Sequence, residues 1–209
     1  MSAKILTISD IVSQPLYNSS IKERFEGLDF IVSCGDLPYY YLEYIVSMLN
    51  IPLFFVHGNH DVDVEYGLHG KKIAPAGGVN LNRVVINHKG YLLAGVEGCI
   101  RYRKGPFMYT QSEMWLNVFG LIPGLLYNRL VYGRYVDIFV GHAAPAGIHD
   151  KQDFAHQGVK AFRWLIKVFK PQVFLHGHIH IYNPKEPTLT FVDSTRVINT
   201  YGYREITIP

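Results

Sequence analysis

Asp10, Asp36, Asn59, His142, His178 and His180 carry the carboxylate, amide and imidazole groups that hold divalent metal ions. Each stands shortly after an apolar run that reads as a β-strand. The runs are 4–9 before Asp10, 30–34 before Gly35-Asp36 and 53–56 before Gly58-Asn59-His60-Asp61. Two more are 136–140 before Gly141-His142 and 173–175 before Gly177-His178-Ile179-His180. Ligands of α/β sheets gather at the carboxyl ends of strands. The pattern therefore points to a two-metal hydrolytic site.

Such a site needs one ligand able to bridge ions roughly 3.5–4 Å apart, and a carboxylate can do so. Asp36 is the candidate. His178 and His180 are two apart, so in an extended segment both face the same side, and each can serve a different ion. Gly177 lets the backbone turn tightly before them. The chemistry this supports is phosphate-ester hydrolysis, with a metal-bridging hydroxide attacking phosphorus and a general acid protonating the leaving alkoxide. His60, next to Asn59, is the candidate acid. Asp61 is expected to hold its ring.

In this order the signatures Asp10, Gly35-Asp36, Gly58-Asn59-His60-Asp61, Gly141-His142 and Gly177-His178-Ile179-His180 resemble the calcineurin-like metallophosphoesterase family, over residues 10–180. The resemblance implies an α/β fold in which two mixed β-sheets pack as a sandwich flanked by helices. It implies Asp36, Asn59, His142 and His178 around one ion and Asp10, Asp36 and His180 around the other. The ions would be Mn, Fe, Zn, Ni or Co. His60 would be the general acid, with Asp61 behind it.

One position departs from the family pattern. Its first signature is Asp-x-His, whereas this chain reads Asp10-Ile11-Val12. Valine cannot ligate, and Ser13 and Gln14 are poor substitutes, so the Asp10-side site is expected to be the weaker. Two readings follow. One is a metal-dependent phosphoesterase acting on diesters or small organic phosphates. The other is a weakly active or inactive scaffold used for protein interaction. Softer resemblances, in Gly98-Cys99-Ile100-Arg101-Tyr102 with Gly105-Pro106 and in His149-Asp150 with Asp153 and His156, nominate Arg101 and His156 as substrate contacts.

Around these residues, strands alternate with helices. A capping-box spacing at Ser20 and Glu23 opens a short helix that Gly27 can close, and 39–50 reads as a second helix stopped before Pro52. Segments 83–88 and 91–96 flank Lys89-Gly90 and read as a hairpin. Thr110 and Glu113 form another capping-box pattern, for a helix running to about Leu121. Pro123 suits the first turn of a further helix ending near Gly133. Asp153 could cap a helix over 154–169, and strands at 189–192, 196–199 and 205–208 finish the chain.

The 209 residues are 48% apolar and 14% aromatic, as in a globular chain, and are read as one domain over 1–209. The formal charge of +3 is too small and dispersed to suggest nucleic-acid binding, yet compatible with an anionic substrate. No signal-like region follows Met1 and no apolar stretch could span a bilayer, so a cytoplasmic location is expected. Cys34 and Cys99 suggest no disulfide framework. His57 and His176 read as structural histidines, and His69 and His88 as surface or turn residues. Tyr39, Tyr40 and Tyr41 read as helix packing. The apolar segment from Phe107 to Tyr132 reads as a core-facing helical pair, with a lid, a homo-oligomer interface or a membrane-touching patch as alternatives.

Overall fold

The computed structural model describes residues 2–67 and 70–209, so His69 lies outside the described residues. In chain order the elements are β1 (Ala3–Ser9), α1 (Ile21–Arg24), β2 (Phe30–Ser33), α2 (Tyr39–Leu49), β3 (Leu53–Phe55), β4 (Glu65–Gly67) and β5 (Gly70–Lys72). Next come β6 (Gly78–Asn80), β7 (Val85–His88), β8 (Tyr91–Val96), β9 (Cys99–Ile100), β10 (Met108–Tyr109) and α3 (Gln111–Tyr132). The chain closes with β11 (Ile138–Gly141), α4 (Lys160–Phe169), β12 (Val173–His176), β13 (Leu189–Val192), β14 (Thr195–Asn199) and β15 (Gly202–Ile208).

Two mixed sheets carry the fold. The first has the order β15-β1-β2-β3-β6 and the second β13-β14-β12-β11-β8-β7. Pairing is parallel in the interior, while β15, β13 and β7 are antiparallel edges. Because side chains alternate along a strand, each interior strand feeds two apolar layers. Ala3 and Ile5 of β1 face the second sheet, whereas Leu6 and Ile8 face α1 and α2. Ile138 and Val140 of β11 meet the first sheet, and Phe139 meets α3 and α4. The result is a helix–sheet–sheet–helix stack with three apolar layers. Burial on both faces explains why these strands read as unbroken apolar runs.

Several local expectations are corrected. The residues from Thr110 onward form one helix, not two. Its capping box is realised at Thr110 and Glu113, and Gly133 closes it at φ +74. Pro123 lies inside it, on the exposed side. The buried residues Met114, Val118, Leu121 and Leu125 run past the proline without a break. Burial of that stripe against the sheet holds both halves in line and outweighs the lost backbone hydrogen bond. The Ser20 box does not form: Ser20 donates both its backbone N–H and its hydroxyl to Asn18 Oδ1, and its side chain caps nothing.

Helix α4 begins at Lys160 rather than near Phe154. Ahead of it, Val159 donates to the Ala144 carbonyl and Ala146 to the Val159 carbonyl, so this stretch is extended. Asp153 instead closes a turn by accepting the N–H groups of Ala155 and His156. The short strands β4, β5, β6, β9 and β10 carry no alternation long enough to be read in advance. Among the described residues no helix is long and apolar enough to cross a membrane.

Pro123 removes one donor from a helix interior while its ring faces solvent. Pro123→Ala should therefore raise stability by about 1–2 kcal/mol, read as a higher urea midpoint. A lowered midpoint would show that the helix needs the bend to lie on its sheet.

Candidate metal centre

The parallel strands of both sheets end at one edge, and their loops meet there. Asp10 donates its N–H to the Gly35 carbonyl, Gly177 to the His142 carbonyl, and Gly98 to the His57 carbonyl. Two glycines are required by the closeness of these loops. A Cβ on Gly58 would overlap Asp36 Oδ1 and lie 2.6 Å from His142 Cε1. A Cβ on Gly177 would lie 2.6 Å from Asp10 Oδ2. Asp10, Asp36 and His178 all adopt left-handed backbone, at φ +68, +57 and +66, so their side chains turn back over the strand ends.

Asp36, His142 and His178 place ligand atoms within 4.8 Å of one another. His142 Nδ1 lies 2.7 Å from the Cys34 carbonyl and must donate to it. Neutral His142 therefore turns a bare Nε2 lone pair inward. That nitrogen lies 3.0 Å from Asn59 Oδ1 and 3.4 Å from Asp36 Oδ2. The Asn59 amide group donates to the Tyr102 hydroxyl at 3.2 Å, which leaves its oxygen facing in. His178 Nε2 points 2.9 Å from the Ala155 carbonyl, so Nδ1 is its free nitrogen.

Lone pairs thus converge with no donor between them unless His142 takes a second proton. Burial opposes that proton, but the Asp36 carboxylate, Asp10 and the Cys34 carbonyl together outweigh burial and push His142 up to about 9. Burial likewise raises Asp36, yet His142 holds it down to about 2. Burial and the neighbouring His142 push His178 down to about 3. A nitrogen-and-oxygen set of this kind, closed by one proton, fits a divalent cation in the proton's place.

The second group is looser. Asp10 accepts the His178 N–H at 2.9 and 3.2 Å, and burial raises its pKa. His180 Nε2 stands 3.7 Å from Asp10 Oδ1, and its Nδ1 meets the Tyr182 hydroxyl at 2.9 Å. Val12 packs against the apolar cluster of Leu6, Ile8 and Leu16, so this side gains no nitrogen from it.

The remaining expectations fare unevenly. His60 is exposed, and its backbone N–H donates to Asp36 Oδ1 at 2.7 Å. Asp61 does not hold the His60 ring. Its carboxylate accepts the N–H groups of Gly58 at 2.7 Å, Asp36 at 3.0 Å and Leu37 at 3.0 Å. Those donors surround it before the ring can. Arg101 is tied to Glu113 and to the Met108 carbonyl, and Arg103 is the guanidinium beside His60, with 3.5 Å from Nη2 to Nδ1. The softer resemblance includes Tyr102 but nominated Arg101 rather than Arg103 from this loop; the place of Arg103 after Cys99 was the available signal.

His156 is held by Asp153 and its ring stands 5.2 Å from that of His178, so it borders the centre from a loop. His149 faces away from it. His176 Nδ1 donates to the Gly177 carbonyl, so its Nε2 accepts from His149 Nδ1, and His149 Nε2 accepts from Thr190. His57 is structural too, between Tyr39 and Glu97 and stacked on Phe107. Cys34 and Cys99 are buried free thiols, Tyr39 and Tyr41 are buried in the α2 packing, and Tyr40 is exposed.

In Asp61→Asn an amide NH2 replaces one oxygen and faces a backbone donor. Stability should fall by about 1–3 kcal/mol in urea unfolding. An unchanged midpoint would refute the anchoring role.

The fold has relatives among solved structures. One superposes with a TM-score of 0.65 at 15% identity, over 99% of this chain and 95% of the other. TT1561 of Thermus thermophilus gives 0.56 at 17% identity, over 97% and 90%. GAP50, the anchor in the inner membrane complex of Plasmodium, gives 0.50 at 12% identity, over 95% and 71%. No curated protein matches the sequence. The family model for calcineurin-like phosphoesterases matches residues 3–182. With that match spanning most of its length, the chain belongs to the calcineurin-like phosphoesterase family.

Proposed function

We propose that this chain is a divalent-metal-dependent phosphodiesterase. The observation that carries the reading is the convergence of His142 Nε2, Asn59 Oδ1 and Asp36 Oδ2 as facing lone pairs at the strand ends. Asp36, Asn59, His142 and His178 would hold one ion, and Asp36, Asp10 and His180 the second. When bound, the ions supply Lewis-acid polarisation of phosphoryl oxygens and a lowered pKa for the attacking water.

The chain's own residues do the rest. The Asp36 backbone is fixed by Asp61, which keeps the shared carboxylate from turning away. Asn59 is oriented by Tyr102. His60 stands at the solvent side, where a leaving group would depart. The Arg103 guanidinium can only donate, so its approach to Nδ1 favours the tautomer with the proton on Nε2. To act as the acid, His60 would have to carry a proton on Nδ1 as well, with Arg103 turned off that nitrogen, so that giving the Nε2 proton to the leaving alkoxide leaves a neutral ring. Arg103 also places a fixed positive charge beside the centre, suited to a phosphate oxygen.

Val12 favours a second reading, a scaffold with little turnover, because the Asp10 side lacks a nitrogen donor. Hydrolysis of bis(p-nitrophenyl) phosphate by metal-stripped protein, with Mn, Ni, Fe, Co or Zn restored in turn, separates the two. Turnover should return with metal. His60→Ala should keep metal and lose about 100-fold in kcat, and Asp36→Asn should lose metal. Turnover with none of the metals would refute the enzyme reading.

Val12→His would add a donor at the weaker side, its ring turned out of the apolar cluster on which Val12 packs. A second equivalent of Mn should bind several-fold more tightly by calorimetry, with the first unchanged. Identical titration curves for variant and parent would show that Val12 does not limit this side.

A further inference from the structure

We infer that the outer face of α3 and α4 is a docking surface for an anionic lipid bilayer. Helix α3 is apolar on two opposite sides. Met114, Val118, Leu121 and Leu125 face the sheet. Leu116, Phe119, Leu126 and Leu130 recur at helical spacing on the other side and are exposed, Leu116 at 69% and Leu130 at 86%. A helix whose outer side touched only water would place polar residues there. Trp164 of α4 lies 5.6 Å from Phe119 and 5.4 Å from Trp115, so the two helices present one continuous aromatic and aliphatic surface.

Charge selects the occupant. Residues 114–133 and 159–170 contain Arg129, Lys160, Arg163, Lys167 and Lys170 and no acidic residue. None of these five forms an ion pair among the described residues. The whole chain has 20 basic and 17 acidic residues, so without them it would be net negative. The positive excess is thus concentrated where the apolar stripe is exposed. A second copy docked by a two-fold axis would set these cations near their own duplicates. An anionic bilayer instead takes leucine and aromatic side chains into its interface and lysine and arginine among its headgroups. No described helix is apolar enough to cross the membrane, so α3 would lie along it.

Both tryptophans of the chain, Trp115 and Trp164, sit in this patch, which gives a local readout. The full chain is mixed with phosphatidylcholine vesicles containing about 30% phosphatidylglycerol, with and without brominated lipid, and followed by flotation and tryptophan quenching. Binding and quenching should appear with these vesicles, weaken as NaCl rises from about 0.1 to about 1 M, and vanish in Leu126→Glu/Leu130→Glu. Lys160→Glu/Lys167→Glu should weaken binding about tenfold or more. All four positions are exposed, so the variants should keep the parent's circular dichroism. Absence of binding, binding without quenching, or binding untouched by the leucine changes would each overturn the inference. So would a dimer in light scattering that the leucine changes dissociate.

Discussion

The centre depends on how closely the loop after β2 approaches the loop after β3. Gly35 and Gly58 bring two backbones together where a Cβ on Gly35 would lie 2.8 Å from Gly58 Cα. At that distance one carboxylate, Asp61, can accept N–H groups from both loops at once. A half-buried carboxylate with three backbone donors is a strong local constraint, because each donor would otherwise be left without a protein partner. It fixes the left-handed turn at Asp36. That turn aims the Asp36 side chain at His142, which comes from the other sheet. The sheet-to-sheet packing and the ligand geometry are therefore one problem with one solution.

The same closeness sets the electrostatics. The carboxylates of Asp10 and Asp36, whose side chains are buried, stand near His142 and His178 with little water to separate them. Repulsion between carboxylates and the desolvation of each would be unfavourable if nothing positive stood among them. His142 supplies that charge by holding a proton, and burial alone would have removed it. A dication held there would do the same task with more charge and would leave His142 in its neutral form. The half built on Asp36, Asn59, His142 and His178 is rigid because every one of these residues is also fixed through a second contact. The Asp10 and His180 half is looser, since Val12 is turned into an apolar cluster and His180 is partly exposed.

Much of this was legible in the sequence because it rests on strand ends. Apolar runs fixed on both faces announce interior strands, and a polar residue one to five positions beyond them emerges near the sheet edge. Asp10, Asp36, Asn59, His142 and the His178/His180 pair were nominated that way, and Asp36, His142 and His178 do bring ligand atoms within 4.8 Å of one another. What was not legible depends on partners distant in sequence. Asp61 sits beside His60 in the chain, so ring-holding was the natural assignment, yet its donors come from Asp36 and Leu37. Arg101 and Arg103 are indistinguishable by composition, and only the Glu113 contact separates them. The start of α4 moved because Val159 pairs with Ala144, which no local pattern around Asp153 reveals.

Helix α3 shows why a proline can mislead. Read locally, Pro123 divides the segment, since it removes a backbone donor and disfavours helix just before it. Read by periodicity, the buried stripe at Met114, Val118, Leu121 and Leu125 continues through it. A stripe that long, seated on Ala94, Val96 and Phe139 and on the α4 residues Phe162 and Leu165, exceeds the local penalty of one proline. The opposite stripe cannot be explained that way, because the sheet does not reach it. An apolar side chain that contributes nothing to the core and lies 86% exposed, as Leu130 does, adds only a tendency to associate. Its rim of cations, which form no ion pair among the described residues, gives that tendency a sign, and the sign excludes a surface of like charge.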